Sequence, residues 1–292
     1  MSEICCACPR KCSVDRDKAT GFCRTGNTFR VARAALHYWE EPCISGENGS
    51  GTVFFSGCNL KCVFCQNYEL SHGLFGKDIT DERLLEIFSE LEEKGANNIN
   101  LVNPTHYTDR LAELLKNNKP SVPVVYNTGG YETVETIKKL DGIVDIYLTD
   151  LKYFDSSVSQ KYSSAADYFE YASQALLEMR RQIPEDIYDE NGIMQKGLIV
   201  RNLILPGNVS QSIKVLDWIS ENLPDYTVIS LMSQYTPCGE AEKYPPVNRR
   251  ISQREYDIVT NHLFSLDFEN VYLQELSSAK EEYIPPFDLT GV

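Results

Sequence analysis

Three cysteines in the run FFSGCNLKCVFCQNYELS stand at Cys58, Cys62 and Cys65, in the spacing C-x3-C-x2-C. Three thiolates can hold three irons of a cubane 4Fe–4S cluster and leave the fourth iron open. An open iron can chelate the amino and carboxylate groups of S-adenosylmethionine (SAM). A cluster held there can pass one electron to the sulfonium, cleaving a C–S bond to give a 5′-deoxyadenosyl radical. In such chemistry the protein supplies placement and the exclusion of water. Zinc usually takes four ligands, in C-x2–4-C pairs, so the triad fits a cluster better than zinc or unliganded buried thiols. Phe64, just before Cys65, is expected to pack against the cofactor.

A second group precedes it. Cys5-x2-Cys8-x3-Cys12 with Cys23 makes a four-ligand set. Such a set can take zinc tetrahedrally or an auxiliary Fe–S cluster, and a small segment with little core gains its order from the metal. Reduced, unliganded thiols are the alternative. Cys6 can replace Cys5, Cys43 can join the set, and Cys238 stands alone without an assigned role. Nine of the ten cysteines precede residue 66, whereas a secreted disulfide scaffold would be shorter and would spread its cysteines through the fold.

Charged and polar residues mark the ends of apolar runs. Arg201 lies inside the run IVRNLILPG, where a charge needs a partner. A salt bridge inside the fold and a ligand are equally good readings. Asp150 and Lys152 follow another such run and form either a local ion pair or part of a site. Asn103-Pro104-Thr105-His106, Asn127-Thr128-Gly129-Gly130 and Gln234-Tyr235 end three more. His37, His72 and His106 are read first as structural groups; only His106 lies in a turn placed for chemistry.

These residues need a frame. Thr52–Ser56 reads as a buried strand. Thr80 caps a helix carrying acids in its first turn, with Leu84, Phe88 and Leu91 at helical spacing and Gly95 as its stop. Strands are then predicted at 98–102, 122–126, 144–148, 197–205, 227–232 and 271–273. Helices are predicted at 109–116, 132–140, 166–180, 211–222 and 253–264. Strands alternating with helices imply βα units and a parallel sheet, and six such units suit a partial barrel with its chemistry at the C-terminal strand ends. Residues 1–50 show no clear helix or strand period and read as a cysteine-rich leader. Residues 51–276 read as the partial barrel, with a polar insertion at 181–196, and 277–292 as an extended tail.

Hydrophobic residues make up 42% of the 292, enough for a sizeable core, and the net charge is −14. That balance speaks against nucleic acid and against an anionic membrane surface. No run approaches the roughly 18–20 apolar residues of a membrane span. The first twelve residues show no apolar signal-peptide core. The expectation is a soluble cytoplasmic protein.

The triad loop and the βα order resemble the radical SAM superfamily. More closely, the phrases CPRKC, ALHYWEEPCISG, NINLVNPTHY, VYNTGGYE, DIYLTDLKY, SQYTP and IPPFDLTGV are similar to a branch of pyruvate formate-lyase activating enzymes and homologues with an extra cysteine-rich N-terminus. The resemblance implies an α/β fold, a partial (β/α)6 TIM-like barrel with a cysteine-rich N-terminal extension. It implies that Asn103, Thr105 and His106 meet the SAM amino group in place of a Gly-Gly-Glu segment, whose glutamate is missing. It gives Asn127, Thr128 and Asp150 to the SAM carboxylate region, with a monovalent cation allowed there, and Lys152 to the carboxylate itself. Arg201 takes the SAM carboxylate or ribose, and Gln234 adenine or substrate. The implied activity is hydrogen abstraction from a substrate, such as the backbone glycine of a glycyl radical enzyme, with flavodoxin or ferredoxin as one-electron donor. A small-molecule or other peptide substrate, and a non-catalytic metal-binding module, are the alternatives.

Overall fold

Runs of Val, Ile, Leu and Phe buried on both faces are what a helix-covered parallel sheet requires, and they form it here. The computed structural model describes residues 4–276 and 285–292. Its strands are β1 (Phe29–His37), β2 (Ser50–Phe55), β3 (Lys77–Ile79), β4 (Ile99–Val102), β5 (Val124–Thr128), β6 (Ile146–Asp150), β7 (Ile187–Tyr188), β8 (Met194–Leu203), β9 (Val228–Met232) and β10 (Val271–Leu273). They line up in the order β10-β9-β8-β6-β5-β4-β2-β1-β3, with β7 paired to β8. From β2 through β4, β5, β6, β8, β9 and β10 every pairing is parallel. Neighbours in space are neighbours in sequence, the winding of a partial TIM-like barrel.

Helices separate the strands where the apolar period changes from two to 3.6. In Asp81–Glu93 the Thr80 hydroxyl accepts from the Arg83 N–H, and Leu84, Ile87, Phe88 and Leu91 face the sheet. Gln253–Leu263 opens on a reciprocal capping box between Ser252 and Glu255.

The leader departs from its expected irregularity. β1 pairs antiparallel with β2 and, at its start, with β3. Its period is masked because Ala32, Ala34 and Ala35 carry little hydrophobic signal and the register shifts between Val31 and Arg33. The short helix Pro42–Ser45 then enters the bore: Cys43 and Ile44 pack with Val125, Ile146, Leu148, Ile199 and Val228. Asn98, itself buried, donates to the Ile44 carbonyl (2.8 Å) and accepts from the Ser50 hydroxyl (2.6 Å). Cys43 is therefore core beside Tyr272, and its expected option of joining the N-terminal thiols gives way to this packing.

The polar insertion is partly structured. Its first residues finish the helix Tyr168–Gln182, and β7 pairs back on the start of β8. Asp186 takes a buried ion pair from Arg180 (3.0 Å) and the Leu198 N–H (3.0 Å). This puts the insertion at the N-terminal end of β8, the end opposite the strand-end loops. In the tail, 277–284 lie outside the described residues. Beyond them the Thr290 carbonyl accepts from the Ala34 N–H (2.8 Å), the Leu289 N–H donates to Ala32 (3.1 Å), and Phe287 meets Phe54 edge-on.

Candidate active site

The loop from Gly57 to Cys65 leaves the C-terminal end of β2. Gly57 has φ +86°, and a Cβ there would fall 2.5 Å from Thr25 and 2.8 Å from the Cys23 carbonyl oxygen, so only glycine lets this turn lie against the leader. Cys58, Cys62 and Cys65 all border one cavity of about 160 Å³. Burial pushes the Cys58 thiol up to about 12 and Cys65 up to about 11, and in each case a neighbouring cysteine adds to the rise; Cys62 is also raised by burial. As they lie, no three Cys, His, Asp or Glu side chains among the described residues are close enough to share one ion. The donor set is three thiols around one space, which fits a multi-iron group whose irons each take a separate thiolate.

The opposite wall carries the charges. In strand alternation, Asn127 of β5, Asp150 of β6 and Arg201 of β8 point into the bore. Arg201 Nε donates to Asp150 Oδ1 (2.9 Å), and its two Nη groups reach Glu40 Oε2 (3.3 Å) and Asn127 Oδ1 (2.6 Å). Lys152 Nζ pairs with Asp150 Oδ2. Burial raises the Asp150 carboxyl, but Lys152 and Arg201 outweigh it and hold the group below its ordinary value. Asp150, Lys152, Arg201, Asn103 and Asn127 line the same cavity as the thiols. The carboxylate and amide that the resemblance would offer a monovalent cation are here bound to Lys152 and Arg201.

Glu40 is a residue that sequence reasoning missed. It accepts from Asn127 (3.1 Å) and Asn100 (3.3 Å), and burial raises its carboxyl despite Arg201. Its signal was an acid pair, Glu40-Glu41, inside a matched phrase of the leader, but nothing local says that the leader enters the bore. A second cavity of about 240 Å³ shares Cys62, Cys65, Asp150, Lys152 and Arg201 with the first, and is bordered by His37, Trp39, Phe64, Gln66, Gln234 and Pro285. Gln234 and Phe64 both border this second cavity. Tyr235 turns away and donates to the Val247 carbonyl.

Other expected residues make their hydrogen bonds away from the charged group. Thr128 follows Asn127 and so points outward; it borders the cavity, but its hydroxyl donates to Glu132 (2.5 Å). Thr105 lies in the one-turn helix after β4 and donates to the same carboxylate (2.5 Å). Burial pushes Glu132 up to about 7 against these hydrogen bonds. His106 is buried behind the Gly57–Cys65 loop, its Nε2 2.8 Å from the Ser56 carbonyl oxygen. Burial, and then Arg16, lower it to about 3. The direct reach of Thr105 and His106 to a ligand, expected from the turn, is replaced by support of the wall. Asn103 does face the cavity, at φ +58°, with its amide donating to the Gly57 carbonyl. Gly130 (φ +82°) lets the β5 loop pass the β6 end: a Cβ would meet the Asp150 carbonyl oxygen at 2.2 Å.

Residues 52–194 match the sequence pattern of the family described as the Radical SAM superfamily. Over 264 residues the chain is 33% identical to an uncharacterized protein of Methanocaldococcus jannaschii, covering 87% of this chain and 72% of that one. The fold of this chain is similar to that of Streptococcus suis SuiB bound to S-adenosylmethionine, with TM-score 0.50 and 16% identity over 77% of this chain and 50% of SuiB. The chain thus spans about half of SuiB, and the likeness speaks to fold alone. A domain of pyruvate-formate lyase-activating enzyme from Bacteroides vulgatus matches 59% of this chain and 91% of its own length, at TM-score 0.39 and 16% identity, too loosely to carry an argument.

Proposed function

The chain belongs to the radical SAM superfamily, and from that premise we propose that Cys58, Cys62 and Cys65 hold a 4Fe–4S cluster facing a SAM site built on Asp150, Lys152 and Arg201. The observation that carries this reading is that the three thiols and the ion group border a single cavity at the strand ends. When bound, the cluster and SAM supply a one-electron cleavage and a 5′-deoxyadenosyl radical that abstracts hydrogen from the substrate. The chain's own residues do the rest. The raised thiols stay protonated until metal displaces the protons. Lys152 and Arg201 offer cations to the SAM carboxylate, Asp150 and the Asn103 side-chain oxygen accept from its ammonium, and Glu40 and Asn127 hold Arg201 in place. Phe64 and the leader residues His37 and Trp39 wall off water.

The leader and Pro285 of the tail both border the larger cavity, which favours a small molecule or a short peptide segment as substrate. Activation of a glycyl radical enzyme is the competing proposal and requires that wall to admit a folded partner's glycine. Flavodoxin or ferredoxin is the proposed electron source and a reducing cytoplasm the proposed compartment. Residues 51–276 would be the catalytic unit, served by the leader and tail.

The test is anaerobic reconstitution followed by iron and sulfide analysis and a dithionite assay for 5′-deoxyadenosine. Wild type should make deoxyadenosine, and Cys62→Ala should not. Full turnover by Cys62→Ala would sink the cluster assignment.

A further inference from the structure

We propose that Cys5, Cys8, Cys12 and Cys23 bind a thiophilic metal centre, zinc or an iron–sulfur cluster, which fastens the leader onto the loop that carries Cys58 and Cys62. Backbone hydrogen bonds bring the four cysteine-bearing turns near one another, although as they lie no three of the side chains are close enough to share one ion, so binding must draw them in. The Cys5 N–H donates to Val14 (2.9 Å) and the Ser13 N–H returns to Cys5 (3.0 Å), which sets Cys12 beside Cys5. The Lys11 N–H closes a turn on the Cys8 carbonyl (3.0 Å). The Phe22 N–H donates to Cys12 Sγ (3.2 Å), and Gly21 is so close that a Cβ would fall 2.9 Å from that sulfur; Cys23 follows directly, its sulfur 3.3 Å from the Thr25 hydroxyl. Cys12 and Cys23 each act electrostatically on Cys5 and on Cys8.

The segment has polar anchors to the barrel but little apolar core of its own. Lys11, Ser13 and Arg24 adopt positive φ (42°, 54° and 66°), a conformation uncommon in non-glycine residues that surroundings must enforce. Between residues 4 and 27 the buried residues are Ala7, Cys8, Pro9, Cys23 and Thr25, far too few for a core. Four thiols in such a segment match sites in which binding supplies the folding energy and draws the ligands inward. The charges nearby are mixed: Arg16 lies by Cys5 and Lys61 by Cys23, while Glu132 lies by Cys8.

The same turns grip the neighbouring loop. Arg10, between Cys8 and Cys12, donates to the Asn59 carbonyl (2.9 Å) and the Ser164 carbonyl (2.6 Å) and stacks on Phe22 at 3.9 Å. Asn59 follows Cys58 directly, and Gly57 rests on the Cys23 carbonyl. The fastening role rests on the proposed reading of Cys58–Cys65 as the cluster loop; the metal centre itself does not.

The experiment uses the full chain with Cys58, Cys62 and Cys65 all changed to Ala, purified and reconstituted without oxygen, with circular dichroism to show that it is folded. We expect it to retain a metal centre, either about one zinc or a set of irons with sulfide, per chain; both outcomes support the site and identify its occupant. Folded triple variant with neither metal overturns the site, whatever becomes of the SAM reading. For the fastening role, Cys12→Ser and Arg10→Gln are made in the otherwise wild-type chain. Amide exchange at residues 57–61 should speed up about tenfold or more in both, while Arg10→Gln keeps the leader's metal. Unchanged exchange in folded Cys12→Ser overturns the fastening role.

Discussion

Asp150 accepts from two cations at once, and its removal leaves Lys152 and Arg201 facing each other in a half-closed wall. Breaking a buried pair by deleting one partner costs about 3–5 kcal/mol, so Asp150→Ala should lower the thermal midpoint. It should also weaken SAM binding at least tenfold, about 1.4 kcal/mol, with iron content unchanged; unaltered SAM affinity by calorimetry would remove Asp150 from the site. Glu132 makes a different prediction. Its folded value is raised to about 7 by burial, so the native state binds the proton more tightly than the unfolded chain does. Its contribution is full below the ordinary carboxylate range and is lost as pH climbs to about 7. Glu132→Gln keeps an acceptor for Thr105 and Thr128 and should flatten that fall by up to about 3 kcal/mol, read as denaturant midpoints at pH 5 and pH 8. An identical pH slope in the two proteins would refute it. Of these residues Asp150, Lys152 and Arg201 were legible because charge inside or just past an apolar run demands a partner. Glu40 and Glu132 were not, since inward or outward placement depends on register with strands far away in sequence.

At the scale of elements, the helix Pro42–Ser45 is a structural plug made from what looks like loop. Ile44 is fully buried among inward residues of four strands, so Ile44→Ala should cost about 2–5 kcal/mol in urea unfolding. A loss below 1 kcal/mol would mean that the bore does not depend on the plug. Removing the cap in Thr80→Ala should cost about 1 kcal/mol and leave SAM cleavage untouched. The βα alternation could be read from sequence because buried parallel strands are nearly continuous apolar runs and the helices between them carry caps and a 3.6 period. β1 could not, because alanines and a register shift blur its alternation. The plug was hidden for another reason: four residues after Glu41 are too few to show any period.

Across the whole molecule, the tail meets the first strand. Residues 287–291 lie along β1, with Arg33 paired to Asp288 (2.9 Å) and Arg83 donating to the Gly291 carbonyl (3.2 Å). Pro285 borders the larger cavity. Deleting 285–292 should therefore leave iron binding intact while raising the SAM dissociation constant several-fold, measured by equilibrium dialysis; equal affinity would show that the tail does not shield the site. The plug also bears on how the protein is made. A ribosome releases Glu40 through Ile44 early, yet the walls that receive them run to β9 and Tyr272. Until those strands emerge, Cys43 and Ile44 have no packing partners and stay in water. Such distant pairing slows folding and exposes intermediates, so the plug is made long before the strands that can cover it.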